Sequence, residues 1–205
     1  MKKILVIDNY DSFTYNLVHI LRELGAENRM EVHRNDKIAV DYAAGFDHIL
    51  LSPGPGLPKD AGVMPEVISK YGSSKNILGV CLGHQGIGEA FGAELFNLPT
   101  VFHGVATDVE LTDKKDVLFS DLPNVFKVCR YHSWAIKPDS IPDTLEVTAV
   151  DESGNVMAIK HKEFNVRGVQ FHPESIMTEH GKKMMQNWLS AVSYTHLTLP
   201  TILRV

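Results

Sequence analysis

The first half of the chain alternates between apolar runs typical of buried strands and segments with helical spacing. Continuous apolar runs occupy residues 3–8, 47–51 and 77–80, and an alternating run occupies residues 30–34. Helical spacing follows Ser12, which is a candidate N-cap, and recurs at residues 65–71 and 83–91. This β-α-β-β-α-β-α order predicts an α/β fold with an open, largely parallel twisted sheet flanked by helices.

The second half has a different pattern. Strand-like runs follow one another there with turns between them and without intervening helices, which predicts additional antiparallel strands at residues 105–111, 125–129, 145–150, 156–161 and 166–171. A last helix is predicted from about Ile176, with Met177, His180, Met184 and Trp188 along one side.

The amino-acid composition predicts a domain boundary after residue 191. Residues 1–191 predict one domain, whereas residues 192–205 are rich in Thr and contain no acidic side chain. We expect this tail to be non-native or disordered.

Charge and cysteine content exclude several classes of function. With 20 Lys and Arg against 25 Asp and Glu, the net charge of −5 gives no basic surface for nucleic acid or for an anionic membrane. The apolar runs are too short to span a bilayer, the N-terminus does not resemble a secretion signal, and two cysteines are too few for a disulfide scaffold. We therefore expect a cytoplasmic protein with no metal site and no cofactor in this chain.

The sequence GVCLG at residues 79–83 lies between a predicted strand and a predicted helix. Glycines on both sides of Cys81 allow a sharp turn, and the helix N-terminus favours the thiolate. Cys81 is therefore a candidate nucleophile. A buried structural cysteine is the alternative interpretation, and we expect the second cysteine, Cys129, to serve only packing.

A base and its partner are predicted in the sequence HPE at residues 172–174. Side chains two residues apart on an extended segment point to the same side, so Glu174 can orient the imidazole of His172. A surface turn is the alternative interpretation of this tripeptide.

The glycine-rich loop SPGPG at residues 52–56 follows a predicted strand. The N–H groups of Gly54 and of Leu82, the residue after the cysteine, are candidate donors to an oxyanion. A simple Pro-Gly turn is an equally good interpretation of the loop by itself.

These segments resemble the motifs of the class I, or triad-type, glutamine amidotransferases, in the same order along the chain. The resemblance lies in LGVCLGHQ at residues 78–85, SPGPG at 52–56 and GVQFHPES at 168–175. It implies a flavodoxin-like fold, with Cys81 as nucleophile, His172 as base and Glu174 as its orienting partner. It further implies a glutamine-binding pocket made by Gly54, Gly56, Leu82, Gln85, Ser133 and Trp134.

Two further segments, IDNYDSFTYN at residues 7–16 and RYHS at 130–133, are similar to the branch that serves anthranilate synthase and its relative in para-aminobenzoate synthesis. The resemblance implies that the chain releases ammonia from L-glutamine for a separate chorismate-binding large subunit, which binds Mg²⁺. Three alternatives stay open: an aminodeoxychorismate synthase subunit, a free-standing γ-glutamyl cysteine hydrolase, and a non-catalytic subunit with the same fold.

Overall fold

The computed structural model of the protein describes residues 2–191, so the predicted tail at residues 192–205 lies outside the described residues. No helix in the described range combines the length and the apolar character needed to cross a bilayer. The helices are α1 (Thr14–Glu23), α2 (Met64–Tyr71), α3 (Leu82–Ala90) and α4 (Gly181–Ser190). The strands are β1 (Ile4–Asp8), β2 (Met30–Arg34), β3 (His48–Leu51), β4 (Asn76–Val80), β5 (Leu95–Asn97), β6 (Val105–Leu111), β7 (Val125–Arg130), β8 (Trp134–Ile136), β9 (Leu145–Asp151), β10 (Val156–His161) and β11 (Val166–Val169).

Nine of the strands within residues 2–191 form one sheet in the order β2-β1-β3-β4-β11-β10-β9-β6-β7. The five strands from β2 to β11 are parallel, and every pair from β11 to β7 is antiparallel. The two remaining strands, β5 and β8, form a small antiparallel ribbon. The predicted α/β sheet with antiparallel strands in the second half is confirmed.

Helices cover both faces of the parallel strands. On one face α1 and α4 pack against alternate strand residues, such as Val6 and Leu50, and on the other face α2 and α3 pack against their neighbours, such as Ile7 and Leu51. All residues of β1, β3 and β4 are buried because both sides of these strands are covered. Burial on both faces explains why these strands read as continuous apolar runs.

The predicted cap of the first helix is wrong. Phe13, not Ser12, occupies the N-cap position of α1, and Ser12 is exposed. Two carboxylates hold the turn instead: Asp11 Oδ1 accepts from Phe13 N at 2.7 Å, and Asp8 Oδ1 accepts from Thr14 Oγ1 at 2.9 Å. Asp8 can reach the turn because β1 ends at this residue.

The start of the last helix also differs from the prediction. Helix α4 begins at Gly181, because His180 before it has a φ of 61°, which a right-handed helix cannot include. Met184 and Trp188 are buried on α4 as predicted, whereas Met177 lies outside the helix and is partly exposed. The apolar positions that predict this helix therefore begin before its first residue, Gly181.

Candidate active site

Cys81 lies in the turn between β4 and α3. Its φ and ψ angles of 52° and −101° are unusual for a residue with a side chain. A Cβ atom on Gly79 would lie 2.4 Å from the backbone carbonyl of Gly83, so only glycine fits there. The glycines of the GVCLG sequence thus permit a tight turn that places the cysteine at the carboxyl end of a central strand.

The thiol of Cys81 is buried among polar groups. Its Sγ lies 3.9 Å from the carbonyl oxygen of Tyr131 and 3.7 Å from Nε2 of Gln170. Gln170 directly follows β11, whose Val169 is paired with Val80 in the parallel register. The register of β4 and β11 therefore brings the segment after Val169 next to Cys81.

His172 and Glu174 form a buried pair in this segment. His172 Nδ1 and Glu174 Oε1 are 2.6 Å apart, and both side chains are almost fully shielded from solvent. The predicted extended geometry is wrong, because Ser175 N donates to His172 O and closes a turn. Thr178 Oγ1 also donates to His172 O, at 2.6 Å, so the turn itself places the carboxylate against the imidazole.

The surroundings of His172 favour its charged form. Burial alone lowers the pKa of an imidazole, but the neighbouring Cys81 and Glu174 outweigh this effect and raise the pKa of His172 to about 10. Nε2 of His172 makes no hydrogen bond of standard geometry within residues 2–191. The rings of Phe13 and Tyr131 lie 5.4 and 5.2 Å from the imidazole and exclude water from it. A charged imidazole here can pair with a thiolate and later donate a proton.

Gly54 and Leu82, the predicted oxyanion donors, are in contact. A Cβ atom on Gly54 would lie 2.7 Å from Leu82 Cδ2 and 2.6 Å from Asn9 Cβ, so the glycine allows the loop after β3 to approach α3. Leu82 is the first residue of α3, where backbone N–H groups have no acceptor within the helix. The structure thus brings the loop that contains Gly54 against Leu82, the residue that follows Cys81.

The other predicted pocket residues fall into two groups. Gln85 Nε2 donates to Trp134 O at 2.8 Å, so Trp134 contributes through its backbone and its side-chain identity does not affect this contact. Ser133 precedes Trp134, and its carbonyl accepts from Leu98 N. Gly56 is exposed in its loop with a φ of 77°, and a Cβ atom added there would lie more than 4 Å from every residue except its chain neighbours.

Metal ligands do not cluster in the described part of the chain, where no three His, Cys, Asp or Glu side chains converge. Two other buried histidines make hydrogen bonds of their own. His132 Nδ1 lies 2.8 Å from Trp134 O, and His161 Nδ1 accepts from the N–H groups of Glu163 and Phe164.

Sequence reasoning missed four residues that shape the site: Phe13, Tyr131, His132 and Gln170. All four lie inside the segments that carry the family resemblance, namely residues 7–16, 130–133 and 168–175. These motifs include all four residues, but the spacing of residues within a motif does not indicate which side chains lie near Cys81 and His172.

Comparison with known proteins places most of the chain in one family. The profile of "Glutamine amidotransferase class-I" matches residues 5–192. The aminodeoxychorismate/anthranilate synthase component 2 of Bacillus subtilis is 45% identical over 91% of this chain and 95% of its own length. Anthranilate synthase component 2 of Pseudomonas aeruginosa is 46% identical over 91% of this chain and 94% of its own length. The chain spans about a third (32%) of a longer relative, the bifunctional protein TrpGD of Thermotoga maritima, at 41% identity over 93% of this chain.

A solved structure has the same architecture. The crystal structure of a candidate GMP synthase subunit from Thermoplasma acidophilum superposes with a TM-score of 0.82 at 28% identity. The superposition covers 92% of both chains. The fold described above is therefore shared with a protein of known structure.

Proposed function

Because the chain belongs to the class I glutamine amidotransferase family, we propose that it hydrolyses L-glutamine as the amidotransferase subunit of an anthranilate synthase. The single observation that supports this most is that Cys81, at the carboxyl end of β4, lies beside the pair of His172 and Glu174, which follows β11 much later in the chain. The names of the relatives from Bacillus subtilis and Pseudomonas aeruginosa support the choice of synthase.

In the proposed first step the Cys81 thiolate attacks the side-chain amide carbon of glutamine. The carbonyl oxygen becomes an oxyanion, which would be stabilised by the N–H groups of Gly54 and Leu82. When the C–N bond breaks, the charged imidazole of His172 donates its proton and ammonia leaves. Glu174 holds the ring in place at 2.6 Å, so the proton that leaves is the one on Nε2.

In the second step water hydrolyses the γ-glutamyl thioester. His172, now neutral, accepts a proton from the water as it attacks, and the thiolate leaves. The products are glutamate and ammonia, and Cys81 and His172 return to their starting states. This chemistry requires no cofactor in this chain.

Ammonia is useful to a biosynthetic enzyme only before it is protonated in bulk water. We therefore assign the acceptor to a separate, chorismate-binding large subunit, with Mg²⁺ belonging to that partner. We also place the pair in the cytoplasm, where a reducing environment would keep the two free thiols of this chain reduced.

The second candidate is the amidotransferase subunit of aminodeoxychorismate synthase, which acts in folate synthesis. The name of the Bacillus subtilis relative includes both synthases, so this branch is supported by the same identity of 45%. The chemistry of Cys81 is the same in both branches, and the large subunit decides the product.

The test mixes this chain with an anthranilate synthase large subunit or, separately, with an aminodeoxychorismate synthase large subunit. Each mixture receives chorismate, Mg²⁺ and L-glutamine, and anthranilate is followed by its fluorescence while aminodeoxychorismate is followed by chromatography. Cys81→Ser is the control, because it changes only the sulfur. Ammonium salts in place of glutamine check that the large subunit is active.

Anthranilate formed in the first mixture alone, and lost in Cys81→Ser, is the expected result. Product in the second mixture alone would assign the chain to the folate branch. Glutamine hydrolysis without coupling to either large subunit would contradict the proposal and favour a free-standing hydrolase.

A further inference from the structure

A series of buried hydrogen bonds ends at the sulfur of Cys81. Gln85 Nε2 donates to Trp134 O at 2.8 Å and to Gln170 Oε1 at 3.2 Å. Gln170 Nε2 in turn lies 3.7 Å from Cys81 Sγ. Gln170 is completely buried and Gln85 nearly so, which means that water does not compete for these groups.

The carbonyl of Trp134 sets the direction of the series, because a carbonyl oxygen can only accept. Gln85 must therefore turn its NH₂ group toward Trp134, and the second hydrogen of that group reaches the oxygen of Gln170. With its oxygen held by Gln85, Gln170 presents its own NH₂ group to the sulfur of Cys81. The orientation of both amides follows from the network.

The carbonyl of Trp134 is held from its other side by His132. Arg130 Nε lies 3.0 Å from His132 Nε2, and an arginine can only donate, so Nε2 carries no proton and Nδ1 donates to Trp134 O. Burial and the charge of Arg130 keep this imidazole neutral and lower the pKa of His132 to about 4. Arg130 is itself fixed by Asp151 at 2.7 Å.

We propose that Gln170 is a further catalytic residue, whose NH₂ group donates a hydrogen bond to the Cys81 thiolate and stabilises it before attack. Gln85 and His132 are positioning residues that keep the amide of Gln170 in this orientation. The inference rests on the proposed function, since it requires Cys81 to be the nucleophile. A hydrogen bond to a charged acceptor is stronger than one between neutral groups, and a carbonyl oxygen in the same place would repel the thiolate.

The test is the alkylation rate of Cys81 by iodoacetamide from pH 5 to 10 without glutamine, measured on the isolated Cys81 peptide by mass spectrometry. Gln170→Met keeps the length of the side chain and removes the NH₂ group. We expect it to raise the pH of half-maximal alkylation by about one unit. Asn187→Leu is the matched control, because Asn187 is also a buried amide but donates to Leu118 O and Ser120 O on α4's side of the sheet.

An upward shift in Gln170→Met with an unchanged profile in Asn187→Leu supports the inference. An unshifted Gln170→Met profile, or an equal shift in both variants, overturns it. If Gln170→Met does not fold, Gln170→Glu decides, since a carboxylate of the same size must shift the profile upward even further. If wild-type Cys81 is alkylated only as an ordinary thiol is, with half-maximal reaction near about pH 8.5, the proposed function fails as well. If wild-type Cys81 reacts at lower pH and the Gln170→Met profile is the same, only the role of Gln170 is refuted.

Discussion

The parallel and antiparallel parts of the sheet contribute differently to the candidate site. The parallel strands β4 and β11 present Cys81 and Gln170 at their carboxyl ends, inside an apolar framework that is buried on both faces. The antiparallel strands have more exposed positions, as in β6, and they contribute through the segment that follows β7. The first part supplies the candidate nucleophile, and the second holds groups around it.

The two parts are joined at the pair of His172 and Glu174. The turn that contains His172 lies along β7, because His172 N donates to Cys129 O and Glu179 N donates to Lys127 O. The imidazole therefore belongs to both parts of the sheet. Changes in the parallel part should affect the chemistry directly, and changes in the antiparallel part should act through packing and position.

The largest effect is expected from a matched pair of cysteine variants, one in each part. Cys81→Ser should lower the glutamine-dependent rate by about 10³-fold or more, because a serine hydroxyl is not ionised at neutral pH. Cys129→Ser should leave that rate near the wild-type value, because Cys129 is buried in β7 and its backbone alone contacts the His172 turn. Initial rates and thermal unfolding midpoints measure both effects. Equal losses of rate in the two variants would erase the distinction between the parts.

The next effect is a loss of stability in acid. Burial is the main reason that the pKa of His48 and of His132 is lowered to about 4 and that of His84 to about 3. Unfolded histidines bind protons below pH 6.5, while these folded ones do not. The stability that these three histidines provide should therefore be complete above pH 6.5 and fall as the pH drops toward 4. Each of these three histidines should lower the free energy of unfolding by roughly 2 kcal/mol at pH 5.

Urea unfolding at pH 8, 6.5 and 5 measures this loss. His48→Phe, which keeps a ring against Trp188, should make the decline between pH 6.5 and 5 shallower, whereas His19→Ala at an exposed position of α1 should not. His172 has the opposite sign: because its pKa is raised to about 10, its contribution to stability is complete below pH 6.5 and is lost progressively as the pH rises from there through 10, so it lowers the stability at pH 8 and not at pH 5. A free energy of unfolding that stays constant down to pH 5 would contradict the prediction.

The difference between the parallel and antiparallel parts of the sheet also explains which features could be predicted from the sequence. Strands β1, β3 and β4 are apolar at all but one position each, so their pattern located them, and the glycines around Cys81 located the turn after β4. The contacts of Arg130 could not be predicted, because Asp151 reaches it only through the pairing of β9 with β6 and of β6 with β7. The role of Gln170 depends on a register between β11 and β4 that no local pattern fixes.

A third and smaller effect concerns the buried ion pair of the antiparallel part. Arg130 Nη1 and Asp151 Oδ2 are 2.7 Å apart and almost fully shielded, and the guanidinium lies 3.5 Å above the ring of Phe102. Arg130→Met should lower the free energy of unfolding by about 3 kcal/mol, because it leaves a buried carboxylate without its countercharge.

Adding Asp151→Asn to Arg130→Met should recover part of that loss, because the uncompensated charge is then removed. The backbone N–H groups of Ser153 and Asn155 donate to Asp151 Oδ1, and they can still donate to the amide oxygen of Asp151→Asn. Denaturant unfolding of the two single variants and the double variant gives the coupling energy. Strictly additive losses would show that the two side chains do not stabilise each other.

The smallest effect is expected at an ion pair in the same antiparallel part of the sheet, which differs from the pair of Arg130 and Asp151 mainly in its exposure to solvent. Lys127 of β7 lies directly opposite Asp108 of β6, with Nζ 2.9 Å from Oδ1, and both side chains are more than half exposed. Solvent screens this pair, and ordering the long lysine side chain offsets the attraction. Lys127→Ala should therefore leave the thermal unfolding midpoint and the glutamine-dependent rate unchanged within error, since the backbone N–H of residue 127 still donates to Glu179. A loss as large as that of Arg130→Met would mean that distance, and not burial, decides what an ion pair contributes in this sheet.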